Sequence, residues 1–407
     1  MNIQNQVSQI IHNNNITSHE ELVKILQSKY YLKIYEKDNF YSLFYTNSTL
    51  QNFENEDWVK DCIGVIFEKN TNIVKAFTQT MAKEIIYEND NSFQNFNLNF
   101  ANSFYTTYKP GARIALWYDI NSNTWKKSTS KRIDAYECFW GNNTKSFGEM
   151  FDEAARICNL DSANLDINSC YTFILTHPDN NQIIKTNTPT LTYICSFNLN
   201  KLDVGNYLQY NNLNISNYTG EVQNSFKCNS IEELKNIFET QEIKTNYCPG
   251  IVITDGYNRY KILTYYYNCA TLMMNNMNRV SYLKIRQDKK QISTILSLNP
   301  SLNEIFMNIE KTIYKVAIKM FSLYHSHFVK KRTDKNVQIE KPYFVFIHKI
   351  HEIYKKNKKD NQNFVIRKNL VIKYLNSLDV GLIEKLITTY ENENKESETT
   401  ESGMMVN

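Results

Sequence analysis

Near residue 275 the spacing of apolar residues along this chain changes from two to three or four. Upstream, short apolar arms flank polar turns in GVIFEKNTNIVKAF, in RIALWYDINSNTWKKS with its D-I-N-S-N turn, in YTFILTHPDNNQII around H-P-D-N-N, and in PGIVITDGYNRYKILTYYY around Asp255 and Gly256. Alternation on both sides of a polar turn predicts a β-hairpin, and consecutive hairpins predict a mainly antiparallel sheet. Downstream, from Asn303, the residues Phe306, Ile309, Ile313, Val316 or Ala317, Met320, Tyr324 and Phe328 fall on one stripe, which predicts a long amphipathic helix. More helix is expected through FVFIHKIHEIYKK, NLVIKYLNSL and GLIEKLITTY. The expected architecture is therefore α+β, with strands first and helices after.

The hairpin region has two expected helical elements. SHEELVKILQSKYY opens on a Ser18 cap with Glu21 three positions on, and SFGEMFDEAARICNL aligns Phe147, Met150 or Phe151, Ala154 or Ala155 and Cys158 along one face. The end of the chain, ENENKESETTESGMMVN, is acidic and polar, the composition of a disordered tail. The expected domains are 1–272, 273–391 and a tail at 392–407.

A chain of 407 residues can bury a substantial core without disulfides or metal. Its net charge of +4 provides no global basic field. No run reaches the roughly eighteen apolar residues of a membrane span, and MNIQNQVSQIIHNNN lacks the form of a secretory signal, so an intracellular protein without a membrane partner is expected. The eight cysteines contain no C-x-x-C pair, as reduced structural thiols would. His325 and His327, with His348 and His351, lack accompanying cysteines or carboxylates, and no metal site is expected. Walker-type glycine loops, G-x-S-x-G and His-Glu-x-x-His are absent, which removes several enzyme classes.

Taken in order, CIGVIFEKNTNIVKAFTQTMAKE, YKPGARIALWYDINSNTWKKSTSKRIDA, YTFILTHPDNNQII and PGIVITDGYNRYKILTYYY resemble the motif series of the phage-type ATP-dependent RNA ligases. The stretch STSKRIDAYECFW and the helical C-terminal part bring the chain closer to RNA-ligase-like proteins of large DNA viruses. The resemblance covers the first two thirds of the chain and implies an adenylation, or nucleotidyltransferase, domain followed by an all-helical domain. In that chemistry a lysine attacks the α-phosphate of ATP to form a lysyl-adenylate, with Mg²⁺ and cations around the triphosphate. AMP then passes to an RNA 5′-phosphate and is displaced by a 3′-hydroxyl.

The departures from the pattern concentrate on chemical groups. Aligned on Gly111, Tyr108 occupies the nucleophile position, Lys109 follows it, and Pro110 stands where an aspartate belongs. Leu175 replaces a carboxylate and Gln182 an arginine; Pro249 precedes Gly250 in place of a glutamate; Leu263 replaces the second of two lysines; Ile63 replaces an arginine before Gly64. Lys83 and Lys261 match retained positions. The resemblance thus implies Lys83, Gly111 and Lys261 as nucleotide-binding positions, and Lys109 as the catalytic candidate should Pro110 turn it toward the site.

Three readings follow. A catalytically degenerate binder would hold RNA or another polynucleotide through Arg113, Lys126, Lys127, Lys131 and Arg132, interleaved with Tyr108, Trp117, Tyr118, Trp125 and Tyr260. An active ligase would use Lys109 with ATP and Mg²⁺. A scaffold would bind viral proteins and no nucleic acid. The bland alternative makes the aromatics core and the lysines, including Lys311, Lys315, Lys319, Lys330, Lys331 and Arg332, a solvated surface.

Overall fold

The computed structural model describes residues 3–53, 56–87, 99–141, 143–180, 186–201, 217–240, 249–255, 258–274, 278–330, 339 and 341–403. The chain divides into two compact units, Met1–Asn268 and Cys269–Asn407. The boundary thus falls four residues before the one read from the sequence.

The first unit begins with α1 (Ile3–Asn13) and α2 (His19–Ser28), followed by the hairpin β1 (Lys33–Lys37) and β2 (Phe40–Phe44). Ser18 caps α2 as expected, its side chain accepting from Glu21 N at 3.2 Å. Two short helices, α3 (Asn47–Phe53) and α4 (Asp57–Asp61), lead to β3 (Val65–Glu68), β4 (Val74–Ala76), β5 (Lys83–Tyr87) and β6 (Phe104–Thr107). The hairpin β7 (Ala112–Asp119) and β8 (Thr124–Thr129) turns through Asn123 at φ 53°, a left-handed conformation that asparagine tolerates. Then come α5 (Phe147–Ile157), β9 (Ser169–Thr176), β10 (Thr190–Asn198), β11 (Glu221–Val222), β12 (Ser225–Phe226), α6 (Ile231–Thr240), β13 (Gly250–Asp255) and β14 (Asn258–Thr264).

These strands form three sheets, ordered β1-β2-β3-β4, β11-β10-β9-β7-β8 and β12-β6-β13-β14-β5. Pairing is antiparallel apart from β10 with β11 and β14 with β5. One expectation needs correction: β9 pairs with β10, while the return arm read at Gln182–Ile184 lies outside the described residues. Strict alternation explains the layering. Phe40, Ile66 and Ala76 of the first sheet meet Ala115, Trp117 and Cys170 of the second, whose opposite face buries Phe173 and Tyr193 against Met150, Phe151 and Ala154 of α5. On the third sheet Tyr105, Ile251, Ile253 and Ile262 pack on Leu234 and Phe238 of α6.

The helix α7 (Tyr265–Met274) crosses the boundary between the units. The second unit is helical: α8 (Arg279–Ile285), α9 (Lys289–Leu298), α10 (Leu302–Tyr324), a π-helical turn at His325–Val329, α11 (Lys341–Asp360), α12 (Lys368–Asn376) and α13 (Val380–Gly403). The stripe read from the sequence is its core: Phe306, Ile313, Val316, Ala317, Met320 and Tyr324 are buried. Each of the large aliphatic side chains and Phe306 contributes about 1.5–3 kcal/mol by leaving water. Lys311 and Lys315 are exposed, Lys319 lies 3.6 Å from Glu393, and Lys331 and Arg332 lie outside the described residues.

The tail is a second correction. Helix α13 continues through residue 403, across most of the segment read as disordered. Glutamate and lysine are good helix formers, and extending a packed helix carries no nucleation cost. Among the described residues no helix is long and apolar enough to cross a membrane.

Candidate functional site

Tyr108, Lys109, Pro110 and Gly111 lie where the chain leaves the third sheet for the second. Thr107 pairs with Ile251, and Tyr108 N still donates to Gly250 O at 2.8 Å, so the ladder extends one residue past β6. Pro110 has no N–H to continue it, and the chain crosses over to enter β7 at Ala112, opposite Leu175. The crossing is tight. A Cβ on Gly111 would lie 2.2 Å from Ile174 Cγ2 and 2.8 Å from Leu175 O; one on Gly250 would lie 2.1 Å from Ile262 O. Close backbone approach therefore accounts for these two glycines without reference to any ligand.

Successive residues of an extended chain point to opposite sides, and Tyr108 and Lys109 do so here. Lys261 Nζ stands 4.9 Å from the centroid of the Tyr108 ring, which in turn meets Tyr267 edge-on at 5.8 Å. The Lys261 ammonium is also 2.6 Å from Glu84 Oε2, and Glu84 is its direct neighbour across the β14–β5 ladder. Lys109 instead reaches Glu221 on β11, with Nζ 2.9 Å from Oε2. Thr192 Oγ1 donates to the same oxygen at 3.0 Å. Burial alone would raise the Glu221 pKa, but the bond and charge of Lys109, with Thr192, outweigh it and hold the carboxyl below its usual range. Lys83 is exposed at the head of β5, opposite Tyr260 and so on the other face of the ladder from Lys261.

Two arginines organise the segment before β5. Arg259, almost wholly buried, donates to Thr80 O at 2.6 Å and to Gln79 Oε1 at 2.7 Å. Half-buried Arg113 lies 3.5 Å from Gln79 O, and desolvation lowers its pKa. Its charge also reaches Tyr45, as does that of Lys261, although burial dominates and raises that phenol. Lys261, Tyr108, Arg113 and Tyr45 thus share one neighbourhood, with Lys109 at its edge and turned away.

The remaining cations separate. Lys126, half-buried, pairs across the hairpin with Trp117. Lys127 lies 2.7 Å from Asp152 Oδ1 on α5 and 2.8 Å from Tyr136 Oη, so its charge serves packing. Lys131 and Arg132 are exposed beyond β8, lying over Phe44 at 5.3 Å and Tyr35 at 4.2 Å. Most of the aromatics read as interleaved stacking groups are structural. Trp117 is buried against Phe40; Trp125 packs edge-on against Tyr118 and Tyr171; Tyr260 packs on the core beneath α6.

Sequence reasoning missed Glu84 and Glu221, the partners of Lys261 and Lys109, and the Arg259–Gln79 clamp. Parity does place Glu84 on the opposite face from Lys83, but only the parallel β5–β14 pairing brings it to Lys261. Among the described residues no group of three or more histidines, cysteines or carboxylates is placed to hold a metal ion.

No family model matches the chain, and no curated protein matches it. Among solved structures there are distant similarities. One is a protein from Aquifex aeolicus described provisionally as an ATP-dependent DNA ligase, with 13% identity, a TM-score of 0.43, and coverage of 71% of this chain and 76% of that one. Another is an archaeal ATP-dependent RNA ligase, with 9% identity, a TM-score of 0.42, and coverage of 76% and 82%.

Proposed function

We propose that this chain is a ligase-like protein that holds RNA or another polynucleotide and does not join it. The observation that carries the reading is that the catalytic candidate and one retained lysine are paired with carboxylates of the chain itself, Lys109 with Glu221 and Lys261 with Glu84, while the other retained lysine, Lys83, is exposed on the far face of the ladder. A nucleophilic lysine must bring a free amine to the phosphate, and Lys109 instead reaches Glu221. Tyr108, at the position implied for the nucleophile, offers its ring to Lys261. The carboxylates that the resemblance requires are replaced by Pro110, Leu175 and Pro249. Each lost electrostatic group costs about 2.7–4 kcal/mol of transition-state stabilisation on the scale of one oxyanion-hole donor, so several losses together leave little chemistry.

Binding makes smaller demands. It needs phosphate-facing cations and a stacking surface, and exposed Lys131 and Arg132 with the half-buried Arg113 supply cations. The test is a fluorescence-anisotropy titration of the full chain with a labelled single-stranded RNA at low and physiological salt. Binding that weakens steeply with salt is expected; no binding at low salt overturns the reading.

A further inference from the structure

Phe139 and Trp140 stand at a loop tip with 50% and 48% of their surfaces exposed, although side chains of this size normally seek cover. The loop that carries them is held at both ends. Asp134 caps the short 3-10 turn Ala135–Glu137, accepting from Tyr136 N at 2.8 Å, and is itself held by Lys37 Nζ at 2.5 Å. Past the tip, Asn143 N donates to Trp140 O at 3.0 Å, Phe139 bridges to Ser146, and Phe147 N donates to Cys138 O at 2.8 Å, which anchors the loop to the start of α5. The two rings are therefore presented on an ordered support, so little entropy is lost when something stacks on them.

The neighbouring turn supplies charge. Lys131 N and Arg132 N both donate to Thr129 Oγ1, at 3.3 and 3.1 Å, and that oxygen lies 4.0 Å from Cys138 Sγ, next to Phe139. The nearby carboxylates Asp134 and Glu137 are both engaged by Lys37. Lys131 and Arg132 have no carboxylate partner among the described residues, so the patch keeps a net positive field.

We infer that the Phe139–Trp140 loop and the Lys131–Arg132 turn form one platform for a single-stranded polynucleotide, with bases on the two rings and phosphates on the two cations. The proposal rests on the polynucleotide-binding reading above and adds where the strand lies. The exposed cations of the Lys131–Arg132 turn, which lie over Phe44 and Tyr35 and have no carboxylate partner among the described residues, favour a polyanion over an apolar protein partner.

The test uses the full chain and labelled single-stranded oligouridylate, titrated at several salt concentrations. Phe139→Ala with Trp140→Ala is expected to weaken binding about 10- to 100-fold, as loss of one or two base–aromatic stacks does. Lys131→Ala with Arg132→Ala is expected to lower the salt slope by about 1.4, two single-strand phosphate contacts. Trp58 and Trp117 are buried and Trp125 half-buried, so quenching of emission on binding is expected to vanish in Trp140→Phe. Wild-type affinity in the aromatic double variant overturns the platform and leaves the binding reading standing, as does a changed oligomeric state with unchanged affinity. No binding by the wild type overturns both.

Discussion

Lys261 and Glu84 stand directly opposite one another on the parallel strands β14 and β5, with Nζ 2.6 Å from Oε2. The chain thus supplies Lys261 with its own counter-ion.

Glu84→Gln removes that charge and keeps the shape. The pair is partly exposed, so the expected stability loss is below about 1 kcal/mol, a small shift in the thermal midpoint. The expected gain is in anion affinity: inorganic pyrophosphate or triphosphate should bind more tightly to the variant in a calorimetric titration. Unchanged affinity would show that Lys261 does not face an anion site.

Gly111→Ala tests the crossing. With a Cβ only 2.2 Å from Ile174 Cγ2 and 2.8 Å from Leu175 O, the backbone of β7 or β9 must move. The expected cost is about 1–3 kcal/mol, the range for overpacking, read as a lower thermal midpoint. Stability equal to wild type would mean that the glycine is retained for another reason.

How much of this was legible in advance depends on sequence separation. The β7–β8 and β13–β14 hairpins follow from alternation around turns a few residues long, and α10 from its stripe. Local signals of that kind carry no information on which distant strand completes a sheet. The β9–β10 pairing and the parallel β5–β14 ladder were therefore invisible, and with them Glu84 as the partner of Lys261. Period-two alternation also says which residues share a face but not which face is covered on both sides. Trp117 and Lys127, read as ligand-facing, turned out to be packing groups for this reason.

The helical unit should be sensitive to acid. His351 stacks on Phe328 with ring centroids 3.9 Å apart, and its Nδ1 is 3.4 Å from Tyr324 Oη. Burial, then the charges of Lys355, His348 and His327, lowers its pKa from the ordinary 6.5, and it has no carboxylate partner among the described residues. The unfolded chain therefore takes up this proton first. Stability is complete above about pH 6.5 and is lost as pH falls from there through the lowered folded value. Thermal unfolding of the full chain between pH 7.5 and 5 checks this, and His351→Phe should flatten the dependence. A variant that keeps the full pH slope would remove His351 as its source.

Helix α5 closes one side of the second sheet and starts with a capping box, in which Ser146 Oγ accepts from Glu149 N at 3.2 Å while Glu149 Oε2 accepts from Ser146 N at 2.8 Å. Ser146→Ala should cost about 1 kcal/mol in chemical denaturation with an unchanged denaturant slope. Ser146→Asp should recover most of it. Failure of the aspartate to recover stability would show that the serine matters through packing.

The most direct test of the proposal that the chain transfers no nucleotide is incubation of the folded full chain with α-³²P-labelled ATP or GTP and Mg²⁺ or Mn²⁺, followed by a denaturing gel, with Lys109→Ala alongside. No labelled protein band is the expected result, because Glu221 holds Lys109 and Glu84 holds Lys261. A band present in the wild type and lost in Lys109→Ala would contradict it and make Lys109 a working nucleophile.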